Sequence, residues 1–170
     1  LIVVLLIAGT NPFQEFFGTY GRATGFVAYV SLAGLLLGAA VVASTKFVNS
    51  FARALLIAGG LSIGYGLIQV VGADPVKWVN QYSPVIGFLG NPNFQSAFLG
   101  MLSVLLVPYI LISNLRIFYR IIAGLMLLSA LYGIELTNSI QGFFNFIIGT
   151  AAMIFLYFFL QKWKLLSMVT

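Results

Sequence analysis

The stretch that decides the fold is FQSAFLGMLSVLLVPYILIS, which runs from Phe94 to Ser113 and carries no charged side chain. An α-helix of this length is about 30 Å long, which is the thickness of the hydrocarbon core of a bilayer. Further apolar runs of similar length follow and precede it. The sequence therefore predicts helices that cross a membrane.

Composition leads to the same class of protein. Of the 170 residues, 61% are hydrophobic and 6% are charged, whereas about 25% of the residues of a soluble domain are charged. The apolar runs are continuous, which favours helices over the alternating strands of a membrane barrel. We expect an all-α integral membrane protein, a polytopic transmembrane helix bundle with about five full spans and a partial N-terminal one.

The spans follow the apolar runs within a single transmembrane domain over residues 1–170. A run of nine residues at the start is too short to cross a bilayer and is expected to be the end of a span. Because the chain begins inside an apolar run without a signal peptide, we expect a fragment of a longer polytopic protein. The predicted spans are 1–9 (partial), 25–45, 54–72, 94–113, 119–134 and 143–160.

The charged residues separate by sign when successive connections are assigned to alternate membrane faces. One face then carries only cations, which makes it cytoplasmic by the positive-inside rule. Every acid lies on the other face, so the loops 10–24, 73–93 and 135–142 should point outward. The cytoplasmic charges are Lys46, Arg53, Arg116, Arg120, Lys162 and Lys164, and the outward ones are Glu15, Arg22, Asp74, Lys77 and Glu135.

Missing residue types exclude several kinds of chemistry. The sequence has no Cys and no His, so these residues provide no disulfide, no thiolate nucleophile, no histidine base and no zinc site with such ligands. We expect no metal and no cofactor. The net charge of +5 comes from the ends of spans rather than from a basic cluster, so nucleic acid is not an expected partner.

The outward loop that precedes the span 94–113 contains candidate binding residues. Gly-Asn-Pro-Asn at 90–93 predicts a turn, with Asn93 as the cap of the next helix. Alternatively, Asn91, Asn93 and Lys77 line a polar pocket, and both interpretations hold together if an anion lies at the helix N-terminus. Asp74 before Pro75 indicates a turn.

Three further features have both a structural and a functional interpretation. Ser139 and Gln141 either satisfy open backbone where two spans end or contact a ligand. Arg22 either anchors the chain to lipid headgroups or pairs with a pyrophosphate. Gln69 should form a hydrogen bond between helices, and the pairs Gly34–Gly38 and Gly60–Gly64 should allow close helix packing.

The order of four segments resembles the membrane core of the O-antigen ligase and O-antigen polymerase superfamily. The resemblance covers about residues 16–149, and its most specific parts are Gly-Asn-Pro-Asn at 90–93 and Arg22 after a glycine-rich turn. The segments are FFGTYGRATGFVAYVSLAGLLL, GYGLIQVVGADPVKW, GFLGNPNFQSAFLGM and LTNSIQGFFNFIIG.

This resemblance implies a fold like that of the metal-independent C-type glycosyltransferases. It implies transfer of a glycan from undecaprenyl pyrophosphate to a lipid-linked, glycan or protein acceptor at the outer face of the bacterial inner membrane. Arg22 and Lys77 would then stabilise the leaving pyrophosphate. Asn91, Asn93, Ser139 and Gln141 would position oxygens of the sugar or the phosphate.

The chain departs from the family in two places. Many members have Thr-x-Ser-Arg-Gly where this chain has Thr137-Asn138-Ser139-Ile140-Gln141-Gly142, so the arginine has no counterpart. The family's long periplasmic loop with a histidine has no counterpart either. The alternative is a non-catalytic membrane subunit or a transporter or flippase component, although its spans would be expected to carry interior charges.

Cysteine-accessibility labelling tests the orientation, and the absence of native cysteines makes single-cysteine variants unambiguous. Lys77→Cys should react with an impermeant maleimide in intact cells, because its loop faces outward. Lys46→Cys should react only after the membrane is opened. Labelling of both from the same side would contradict the assignment.

Overall fold

The computed structural model describes residues 12–18, 25–78, 82–111 and 114–167, which form helices and connecting turns without a strand. The prediction of an all-helical protein is confirmed for this part of the chain. The helices are α1 (Pro12–Phe17), α2 (Phe26–Val42), α3 (Thr45–Val70), α4 (Pro92–Leu111), α5 (Ile117–Leu136) and α6 (Gln141–Ser167).

Four helices in the described residues are long and apolar enough to cross a membrane: α3, α4, α5 and the Gln141–Leu160 part of α6. In chain order, these helices contain most of the predicted spans 54–72, 94–113, 119–134 and 143–160. By length and composition, this is the pattern of a multi-pass membrane protein. The predicted partial span at 1–9 lies outside the described residues.

Two predicted features near the N-terminus differ from the structure. Helix α2 covers only 17 residues of the predicted span 25–45, so it is about 26 Å long and shorter than a hydrocarbon core. Lys46 and Arg53 were expected in a connection but lie in α3, because its helix begins at Thr45. The Ser44 hydroxyl accepts the Phe47 N–H at 3.2 Å at this start.

The chain divides into two compact units, Leu1–Ser50 and Phe51–Thr170. In the first unit, α1 packs against the beginning of α2, where the rings of Phe16 and Phe26 lie 5.6 Å apart. No residue of α2 is buried. The polar turns 71–78, 82–91 and 137–140 lie in the second unit.

Helix α4 is the central helix of the second unit, because it packs against both α5 and α6. Leucines on α4 meet small and branched side chains on α5, which allows the two helices to lie close together. Helix α3 contacts α4 where Gly59 faces Leu102. The buried core residues are Leu99, Leu102, Leu106, Ala123, Ala130 and Ile134.

Helices α4 and α6 approach each other at two glycines. A Cβ atom at Gly100 would overlap the carbonyl oxygen of Gly142, and one at Gly142 would overlap that of Ser96. The Ser96 hydroxyl donates to the Ser139 carbonyl oxygen at 2.9 Å and accepts from the Gly142 N–H at 2.9 Å. The start of α6 is therefore fixed to α4 by backbone contact and by a buried hydroxyl.

The two GxxxG pairs predicted to mediate packing make no such contacts in the described residues. A Cβ atom at Gly34, Gly38 or Gly64 would have no described atom within 4 Å, and one at Gly60 would meet only Met126 Cε, at 3.8 Å. The close helix approach therefore involves Gly100 of α4 and Gly142 of α6. A search for GxxxG spacing within one helix does not find such a pair.

Gly100→Ala should destabilise the protein, because the added methyl group overlaps the backbone of α6. The expected cost is about 1–3 kcal/mol, as for other overpacked interiors, and a thermal melt in detergent measures it. Gly124→Ala is the matched control, since a Cβ atom there would meet nothing within 4 Å. Equal melting temperatures for the two variants would contradict the assigned contact.

Candidate functional site

One end of the second unit carries a cluster of polar side chains. We call it the loop end, and it comprises residues 71–78, 82–91 and the turn 137–140. A cleft of about 400 Å³ opens there, which is within the range of about 300–1,000 Å³ that is typical of small-molecule sites. The cleft is lined by Trp78, Tyr82, Ile86, Gly90, Asn91, Pro92, Asn93, Thr137 and Asn138.

The Gly-Asn-Pro-Asn segment forms one wall of the cleft and starts α4. Asn91 is the N-cap, because its side-chain oxygen accepts the Asn93 N–H at 2.8 Å, and Pro92 takes the first helical position. The prediction that Asn93 caps this helix is therefore wrong, because the cap lies two residues earlier. Its side chain is exposed and has no hydrogen-bond partner in the described residues.

Thr137 and Asn138, in the turn 137–140, also line the cleft. The Thr137 hydroxyl is engaged with its own helix, donating to the Ile134 carbonyl oxygen at 2.6 Å. Asn138 has a φ of +54°, a left-handed conformation that asparagine tolerates better than most residues. Its side-chain amide donates to the Tyr82 carbonyl oxygen at 2.8 Å, which joins this turn to the loop that precedes α4.

Gln69, in the last turn of α3, holds the loop that precedes α4. Its side-chain oxygen accepts the N–H groups of Ile86 and Gly87 at 3.0 and 2.9 Å. Its amide nitrogen donates to the Asp74 carboxylate at 2.9 Å. The hydrogen bond predicted to join two helices thus joins a helix to a loop, and it satisfies backbone groups that water reaches poorly.

Asp74 accepts hydrogen bonds both from α3 and from the first part of the loop end. Partial burial opposes ionisation, but hydrogen bonds from the Val76 N–H and from the side chains of Gln69, Tyr65 and Trp78 outweigh it and lower the pKa of Asp74 below its usual value. The carboxyl is therefore ionised at neutral pH. The bond to Val76, at 2.9 Å, confirms the turn predicted at Asp74-Pro75.

Trp78 lies between Asp74 and the cleft. Its indole N–H donates to Asp74 Oδ2 at 3.0 Å and to the Tyr65 hydroxyl at 3.1 Å. At the other edge of the indole, a Cβ atom on Gly90 would lie 3.7 Å from Cζ3. The N–H edge of the ring is thus held, while 41% of the residue stays exposed.

Beneath the loop, a buried pair of polar side chains joins α3 to α4. Gln95 and Ser62 form hydrogen bonds of 2.8 and 3.0 Å, and both residues are buried. Gly87 lies directly above Gln95, since a Cβ atom there would overlap the glutamine side chain. Gly87 also has a φ of +65°, so only glycine fits without strain.

An apolar groove of about 320 Å³ lies on the other side of the same loop, between α3 and α4. Phe88 forms part of its wall and stacks on Tyr65 with a ring distance of 4.4 Å. The loop 86–91 therefore separates a polar cleft from an apolar groove. The groove is lined by Ala58, Leu61, Ser62, Phe88, Leu89 and Phe98.

The structure brings together two of the six predicted site residues, Asn91 and Asn93, which both line the cleft. Lys77 is exposed and adjacent to Trp78 in sequence but is not among the lining residues. Ser139 is buried, with its hydroxyl 3.5 Å from the Gln141 N–H, and Gln141 is exposed at the start of α6. Arg22 lies outside the described residues.

Sequence reasoning did not assign Trp78, Tyr82 or Asn138 to the site. Tryptophan and tyrosine concentrate at membrane interfaces, so their presence in this loop did not by itself indicate a binding site. The available signal was the spacing of Asp74 and Trp78, because an acceptor four residues before an indole in a turn fixes the ring.

Comparison of the chain with protein-family models, curated proteins and solved structures finds no match.

Gln69→Leu should loosen the loop, because the N–H groups of Ile86 and Gly87 lose their acceptor. Opening the loop should become easier by about 2 kcal/mol, which speeds amide exchange at these two positions about thirtyfold. Hydrogen exchange followed by mass spectrometry measures this. The exposed Gln141→Leu is the control, and unchanged exchange in Gln69→Leu would contradict the role of Gln69.

Proposed function

We propose that this chain is the membrane part of a glycosyltransferase like the O-antigen ligases and polymerases. It would move a glycan from undecaprenyl pyrophosphate to a lipid-linked, glycan or protein acceptor at the outer face of the bacterial inner membrane, with the loop end facing outward. The observation that carries the proposal is the cleft. Two motifs of the resemblance that are far apart in sequence, Gly-Asn-Pro-Asn at 90–93 and Thr137-Asn138, line it together.

The arrangement on either side of the loop 86–91 supports a substrate with a polar part and an apolar part. A glycan would occupy the cleft, where neutral amide groups can form hydrogen bonds with hydroxyls. The polyprenyl chain of the carrier would lie in the groove, whose wall includes Phe88, Leu89 and Phe98. Because the groove lies between two helices that could cross a membrane, a chain there would stay in an apolar environment.

In the proposed reaction, a hydroxyl of the acceptor attacks the anomeric carbon of the glycan, and the hydroxyl proton is released to water at the outer face. The bond from this carbon to the pyrophosphate oxygen breaks, the configuration inverts, and undecaprenyl pyrophosphate leaves with the negative charge. Arg22 and Lys77 are the cations proposed to stabilise that charge. The asparagines of the cleft would hold the glycan in position, and no metal or cofactor is required.

Transfer of a labelled lipid-linked glycan, measured in membranes that contain the complete gene product, tests the proposal. Asn93→Ala should lower the transfer rate about fivefold, the equivalent of one lost hydrogen bond of about 1 kcal/mol. This variant leaves the fold intact, because the side chain is exposed and unpaired in the described residues. Asn114→Ala, in the connection at the opposite ends of α4 and α5, should transfer at the normal rate.

Absence of transfer by the unmodified protein, with several lipid-linked donors and acceptors, would overturn the proposed function. An equal loss in the Asn93→Ala and Asn114→Ala variants would remove the cleft from the mechanism.

A further inference from the structure

We infer that the cleft binds an uncharged sugar ring, with Trp78 as the platform on which the ring stacks and with Asn93 and Asn138 as its hydrogen-bond partners. The inference rests on the proposed function in one respect, namely that the sugar belongs to the transferred glycan. It adds the chemical class of that sugar and the residue that selects it. The sequence indicated a polar pocket at Asn91 and Asn93, but it indicated neither Trp78 as a platform nor a preference for an uncharged ligand.

The indole of Trp78 is suited to this role because it is fixed before a ligand arrives. Hydrogen bonds to Asp74 and Tyr65 hold the N–H edge, and Gly90 leaves the opposite edge free of a neighbouring side chain at that position. A ring held in this way loses little conformational entropy on binding, so more of the contact energy contributes to affinity. The C–H groups on one side of a pyranose are apolar enough to pack on an aromatic face.

The amide groups around Trp78 match the hydroxyl groups of a sugar. The Asn93 side chain has no partner in the described residues, and the Asn138 oxygen remains available because only its nitrogen is used, toward Tyr82. A sugar hydroxyl both donates and accepts, as does a carboxamide. Asn91 has given its oxygen to the helix cap and retains its amide N–H groups.

Charge selects against an acidic ligand at this position. None of the residues that line the cleft is charged, so the described lining contains no cation for a carboxylate or a phosphate. The Asp74 carboxylate lies at the N–H edge of the Trp78 ring, at hydrogen-bond distance from the indole nitrogen, and its lowered pKa keeps it ionised. A uronic acid or a phosphate in the cleft would meet this negative field at close range.

Fluorine NMR of protein labelled with 5-fluorotryptophan tests the inference. The sequence has two tryptophans, Trp78 and Trp163, and Trp163→Phe or Trp78→Phe assigns the two signals. Addition of methyl glycosides of neutral hexoses should shift the Trp78 signal with a Kd on the order of 1 mM. Glucuronate and inorganic phosphate, at matched ionic strength, should bind at least about tenfold more weakly.

Two variants show whether the response comes from the cleft. Asn93→Ala should weaken hexose binding about fivefold, and Asn138→Gly should do the same while keeping the positive φ. Asn114→Ala is the matched control and should bind hexoses normally. An unmoved Trp78 signal at saturating hexose, or equal or tighter binding of glucuronate or phosphate, would overturn the inference.

The outcome is separable from that of the proposed function. Glycan transfer without any hexose response at Trp78 would remove the sugar site and leave the transferase proposal standing. A selective hexose response in a protein that transfers no glycan would leave the sugar site standing and remove the transferase proposal.

Discussion

The loop end depends on one requirement, that backbone N–H and C=O groups next to an apolar layer find partners within the protein. Between α3 and α4 the described residues 71–78 and 82–91 form no helix, so the backbone of this connection supplies only some of these partners. Gln69 meets much of this need, because its amide binds two backbone N–H groups and one carboxylate. The position of Asp74 and hence of Trp78 follows from this side chain.

Side chains of α4 form hydrogen bonds of the same kind in the interior of the second unit. The first turns of this helix carry Gln95 and Ser96, which are buried and bind α3 and the start of α6 respectively. Farther along, the helix is apolar and packs through leucines. Polar contacts thus determine how the helices are aligned at the loop end, while apolar contacts provide most of the buried area. The sugar site that we infer is built on the rigid end of this arrangement.

The long helices could be predicted from sequence, because a membrane span needs only length and the absence of charge. Asn-Pro at 91–92 also indicated a helix start, with an error of two residues in the cap. The partners of Gln69 could not be predicted, since its acceptor oxygen meets Ile86 and Gly87 far along the chain. For the same reason Asn138, which lines the cleft from another turn, was not assigned to the site. The sequence also did not show that Gly100 and Gly142, rather than the glycines with GxxxG spacing, mediate helix packing.

Tyr65 contributes to two environments at once. Its hydroxyl binds the Asp74 carboxylate and the indole N–H of Trp78, and its ring stacks on Phe88 in the wall of the apolar groove. A ligand that moved Phe88 would therefore change the support of Trp78, and a ligand on Trp78 would change the freedom of Phe88. By thermodynamic reciprocity, any change that one ligand made in the affinity of the other would be returned by the same factor, so a single phenol ring would couple the cleft to the groove.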